Sequence, residues 1–127
     1  MSNVSTYNPV TYLIFKGKIM ADIQEQKDLL SKYTTSINDA ALESMAKTYA
    51  LVMSKPDTKY VACGDQSEKD TVREKFLKKK IGLTQSADDF NAAVDEICTT
   101  MKEDRFKSRL VFYYLLAEKF NKLSQFA

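Results

Sequence analysis

Apolar positions recur at intervals of three and four along most of this chain, and they are densest near its C-terminal end, in Arg105 to Phe120, RFKSRLVFYYLLAEKF. The middle of that stretch, Leu110 to Ala117, runs eight residues without a charge. A run this short cannot span a bilayer, and it continues into helix formers rather than turn residues, so the pattern predicts a core helix. Phe106, Leu110, Tyr113, Ala117 and Phe120 share one face, while Val111, Phe112, Tyr114, Leu115 and Leu116 make the remaining surface apolar as well. Neighbours must therefore cover the helix on more than one side.

Four upstream segments are expected to supply them. Asp22 with Glu25 forms an N-terminal capping pair for a first helix whose face is Ile23, Gln26, Leu30 and Tyr33 and which ends near Thr34. Ser36 or Asn38 caps the second, in which Leu42, Met45, Ala46, Tyr49, Val52 and Met53 recur until Lys55-Pro56 stops it. Pro56 to Gln66 reads as a loop with Tyr60 or Val61 against the core, closed by the turn signal Gly64-Asp65. Ser67 caps the third helix, with Glu68 and Asp70 in its first turn, Val72, Phe76, Leu77 and Ile81 on its buried side, and a left-handed glycine terminus at Gly82-Leu83. Thr84 or Ser86 caps the fourth, with Asp88 and Asp89 in its first turn and a stripe of Phe90, Ala93, Val94, Ile97 and Met101. The break before the C-terminal helix rests on Asp104 as its cap. The expected fold is all-α, a compact bundle of about five helices around a buried C-terminal helix, in one domain over residues 21–127.

Residues 1–20 read differently. Asn8-Pro9 and Gly17 interrupt them, and Val10 to Phe15 is β-prone, giving a non-helical N-terminal arm. Lys16 and Lys18 follow the apolar stretch instead of preceding it, which is the wrong order for an export signal. The segment is either an arm that docks on the domain or an extension upstream of a natural start at Met20, and the second reading is preferred.

Composition narrows function mainly by exclusion. Nineteen Lys and Arg against 17 Asp and Glu leave a formal charge of +2, too near balance to name a polyanionic partner. Only three glycines and two prolines favour helix over a turn-rich β fold. Histidine is absent, which removes the commonest general base, the commonest metal ligand and every Ser-His or Cys-His nucleophile pair. Cys63 and Cys98 belong to no CxxC pair and are expected as reduced thiols in a cytoplasmic protein, with a disulfide between them as the alternative.

From Ser67 onward the chain resembles the bacterial family of unknown function number 2853. The resemblance is carried by Ser67-Glu68, Thr71-Val72, Phe76-Leu77-Lys78-Lys79-Lys80-Ile81-Gly82-Leu83 and the run Arg-Leu-Val-Phe-Tyr-Tyr-Leu-Leu from Arg109 to Leu116. It covers roughly residues 21–123 and leaves residues 1–20 outside. Members carry a Gly after a Tyr between the last two helices, where this chain has Met101-Lys102-Glu103-Asp104, and the loop at Tyr60 to Asp65 matches poorly. The resemblance implies a helical cytosolic protein and assigns no activity, catalytic residue or ligand.

Four candidate sites each have an ordinary structural role as the alternative. Lys75, Lys78, Lys79 and Lys80, joined in space by Arg105, Lys107 and Arg109, form a candidate basic surface for phosphates, although lysines in the last turn of a helix are favoured by its dipole alone. Tyr113 and Tyr114 sit in an apolar run where they either line a pocket or send their hydroxyls to the rim or to a backbone carbonyl. Glu68, Asp70 and Glu74, and Asp88, Asp89, Asp95 and Glu96, cluster at helix starts and lack calcium-loop spacing. Cys63 beside Gly64 is the most plausible reactive group, yet nothing near it in sequence lowers a thiol pKa. The leading expectation is a non-enzymatic protein that binds another protein or itself, with no cofactor, no metal and no membrane span. Nucleic-acid binding through the basic surface is the alternative.

Overall fold

The structure, a computed structural model, describes residues 22–127. Helix α1 covers 22–30, and Asp22 is itself helical, not the residue before the helix. Its inner face carries Gln26 and Leu30, both buried, with Ile23 and Tyr33 packed at the edge. Asn38 caps α2 (Asp39–Thr48) by accepting a hydrogen bond from the Ala41 amide. Leu42, Met45 and Ala46 lie on its buried side as their spacing predicts. The backbone then breaks at Tyr49, and a separate turn, α3 (Ala50–Met53), follows.

The expected loop from Pro56 is more ordered than its composition suggests. Pro56 opens a short helix, α4 (Pro56–Lys59), where its missing N–H costs nothing. Strand β1 (Tyr60–Val61) comes directly after and pairs antiparallel with β2 (Lys107–Ser108), Tyr60 opposite Ser108 and Val61 opposite Lys107. Val61 is buried, as one of the two expected residues.

Asp65, not Ser67, caps α5 (Gln66–Thr71), because its carboxylate accepts from both the amide and the hydroxyl of Ser67. The helix widens without a break into a π-helical segment, Val72–Lys80. Val72, Phe76, Leu77 and Ile81 are buried. Gly82 has φ of 79°, and the Leu83 amide reaches back to the Leu77 carbonyl at 3.0 Å, which is the left-handed terminus expected there. Ser86 caps α6 (Ala87–Thr100), whose stripe of Phe90, Ala93, Val94 and Ile97 is buried together with Met101.

The start of the C-terminal helix differs from expectation. Ser108, not Asp104, caps α7 (Arg109–Lys119), with its hydroxyl accepting from the Val111 amide. Residues 105–108 are spent on the turn and on β2, so Phe106 does not share the helical face and is 63 % exposed. From Arg109 to Ala117 every residue of α7 is buried, with α2, α4, α6 and the terminal 3₁₀ turn Leu123–Gln125 around it. The expected all-α bundle around a buried C-terminal helix is the architecture found, with three short helical turns added. The N-terminal arm lies outside the described residues, and among those described no helix is long and apolar enough to cross a membrane.

Candidate functional site

The seven basic candidates separate into three environments. Lys75, Lys78, Lys79 and Lys80 are exposed at the end of the π-helical segment, where Lys78 pairs with Glu74 at 3.0 Å and the Lys80 ammonium lies 5.9 Å from the Phe126 ring centre. Arg105 is exposed and lies against the Phe106 ring, while the Lys107 ammonium donates to the Asp104 carbonyl at 2.9 Å. Arg109 does not belong to any surface: it is 6 % exposed.

That arginine is the centre of the polar interior. Its Nε donates to the Thr58 carbonyl at 2.5 Å, Nη1 to the Tyr113 hydroxyl at 3.1 Å, and Nη2 both to the Tyr60 carbonyl at 3.1 Å and to Glu68 Oε1. Burial disfavours the charged guanidinium, but Tyr113 and Glu68 outweigh it and hold the pKa above the ordinary arginine value. Burial pushes the Tyr113 hydroxyl up, with Arg109 opposing. A charge this well matched is a structural joint linking α4, β1, α5 and α7. Sequence reading placed Glu68 only as a first-turn anion. The available signal was that Arg109 stands four residues before Tyr113 on the face of an otherwise apolar helix.

Tyr114 is buried and its hydroxyl meets the backbone at an amide rather than the expected carbonyl, accepting from Asn38 at 2.9 Å. Tyr113 also faces inward and stacks on Phe76 with ring centres 4.1 Å apart. The cysteines require a correction. Cys63 and Cys98 form a disulfide across a Cα separation of 5.9 Å, within the usual span, so Cys63 is not a free thiol. The path of the loop after β1 brings it against α6, a long-range placement that local sequence does not reveal. Among the described residues no group of three or more His, Cys, Asp or Glu side chains is arranged to hold a metal ion.

A cleft of about 680 Å³ lies between α1 and the chain from α2 to β1. Ile23, Ala46, Leu51, Met53, Tyr60 and Leu110 give it apolar walls. Gln26 also lines it, and that residue is buried, its side-chain oxygen accepting from the Ser108 hydroxyl. Asp22, Glu25, Lys47 and Lys59 place both charge signs among the lining residues. Leu51 is 70 % exposed, and Phe106 extends the apolar surface through Tyr60, whose ring centre is 5.3 Å away. Of the two large exposed hydrophobic side chains of the described residues, Leu51 lines this cleft and Phe106 packs on the lining residue Tyr60. No local pattern marks the cleft, because its walls come from a helix face and a loop that lie apart in the sequence.

A small all-α protein with an apolar cleft and a sealed polar interior is the class these features define. The family model described as protein of unknown function (DUF2853) matches residues 24–124, and the chain belongs to that family. No curated protein matches the chain.

Proposed function

We propose that this protein is a non-enzymatic interaction module whose cleft accepts an apolar segment of a protein partner. The carrying observation is that Leu51, an exposed large hydrophobic side chain, lines this apolar cleft, with exposed Phe106 packed on its wall residue Tyr60. Exposed apolar surface costs solubility and is characteristic of docking sites. The lining charges argue for a polypeptide: two carboxylates and two ammonium groups complement a chain bearing both signs, whereas a polyanion is met by cations of one sign. A cleft of about 680 Å³ also exceeds the needs of one side chain and suits two or three anchors from a short helix or extended segment.

Panning a random peptide library against the full chain is expected to enrich sequences with spaced apolar anchors. Fluorescence anisotropy of an enriched peptide should then show Leu51→Glu weakening binding at least about tenfold with the melting temperature unchanged. Peptides that bind the variant equally well, or no enrichment, would sink the reading. Light scattering on the same proteins covers self-association: a dimer abolished by Leu51→Glu would make a second copy the partner.

One observation favours the nucleic-acid alternative, the run of exposed lysines at Lys75, Lys78, Lys79 and Lys80. It calls for a gel shift at low salt that weakens steeply as salt rises and disappears when Lys78, Lys79 and Lys80 are all replaced by Gln.

A further inference from the structure

The cleft wall formed by Pro56, Lys59 and Tyr60 runs through β1 into the segment 62–65, which joins β1 to α5. Up to Tyr60 that chain is held from inside, by Arg109 at the carbonyls of Thr58 and Tyr60 and by a ladder only two residues long. Beyond Val61 the attachment changes. Ala62, Gly64 and Asp65 are exposed; Asp65 is hydrogen-bonded to Ser67 at the start of α5, and Cys63 is bonded to Cys98 on α6. Helix α6 contributes nothing to the cleft lining, so the bond ties the segment that continues directly from the cleft wall to an element outside the cleft. Both cysteines are half-buried, packed against the edge of the core rather than sealed within it.

From this placement we infer that the Cys63–Cys98 pair is a thiol–disulfide switch that sets how firmly the cleft wall is held, a regulation that rests on the docking reading above. A small dithiol is the reductant: one of its thiolates attacks a protein sulfur, the protein S–S bond breaks, and a mixed disulfide forms. Its second thiol then displaces the remaining protein sulfur. Two electrons and two protons pass to the protein, leaving Cys63 and Cys98 as thiols and the reductant as a cyclic disulfide. The reduced protein stays folded, because the Arg109 contacts, the buried Val61 and the core around α7 do not involve the bond. Only the stretch from Tyr60 to Gln66 loses its outer anchor.

Amide hydrogen exchange on the full chain tests the inference without a cleft ligand. Protein equilibrated with oxidised glutathione is compared with protein in dithiothreitol and with Cys63→Ser/Cys98→Ser in both buffers. Exchange across 60–66 should be about tenfold faster in the reduced protein and in the double variant, with the amides of α7 unchanged. The variant should not respond to dithiothreitol. Equal exchange in both redox states would overturn the inference. So would two titratable thiols after the glutathione step, or a loss of protection throughout the chain, which would make the bond a support of the whole fold. If peptide binding to the cleft failed while the exchange difference appeared, the docking reading would fall and only the redox-dependent mobility of residues 60–66 would stand.

Discussion

A guanidinium that is 6 % exposed has to be matched nearly donor for donor, and Arg109 uses four of its N–H groups on Thr58, Tyr60, Tyr113 and Glu68. A lysine ammonium cannot reproduce that planar fork, so Arg109→Lys is expected to lose about 2–4 kcal/mol in a urea melt. Glu68→Gln should lose less, about 1–3 kcal/mol, because the amide keeps one acceptor for Nη2. A melt of Arg109→Lys that overlays the wild type would mean the joint holds nothing. Asp104 is a second such residue, and it joins the end of α1 to the turn before β2. It accepts from Lys32 at 2.6 Å and from the Tyr33 hydroxyl at 2.5 Å. Burial raises its pKa, but those two hydrogen bonds and the charges of Lys32 and Lys107 outweigh burial, so the folded carboxyl titrates below the ordinary carboxylate value. With the folded pKa depressed below an unfolded value of about 3.9, the stabilisation is present above that value and disappears as pH falls through the folded pKa. Asp104→Asn should cost about 1 kcal/mol at neutral pH and become indistinguishable from the wild type in stability at the acid end of a pH series. A gap between the two proteins that stays constant down to low pH would contradict this assignment.

Among the elements, α7 carries the core. Leu116 is fully buried and Leu115 nearly so, and replacing either by Ala is expected to remove about 2–5 kcal/mol, read from urea midpoints. Superimposable melts would show that the helix is peripheral. Which elements could be read from sequence follows from how local their causes are. The stripe of α6 and the glycine end at Gly82 depend on residues within one or two turns, and both appear where the pattern puts them. The start of α7 does not, because Asp104 and Ser108 are both competent caps. The choice between them is made by Val61 pairing with Lys107 and by Lys32 and Tyr33 claiming the Asp104 carboxylate. The π-helical geometry of Val72–Lys80 was likewise illegible, since the same buried residues satisfy an ordinary helical face.

At the scale of the whole molecule, the family match begins at residue 24, and the reading of residues 1–20 as an extension remains a proposal that a deletion can test. A chain starting at Met20 is expected to melt within about 4 °C of the full chain, a loss of under roughly 1 kcal/mol for a domain of this size. A larger drop would make the arm part of the core. The candidate site was less legible than the fold. The cleft and the disulfide both depend on where the segment from Pro56 to Asp65 travels, and its polar, proline-containing composition is compatible with many paths. The same segment bears on the order in which the protein assembles. Thr58, Tyr60, Glu68 and Arg109 meet only after the chain between them has closed, and their charges gain from the meeting only once water has left. Such a contact belongs to the last stage of folding, on the native side of the barrier. In a chevron plot, Arg109→Lys should therefore raise the unfolding limb and leave the refolding limb nearly in place, so the buried arginine governs how long the native state lasts rather than how fast it is reached.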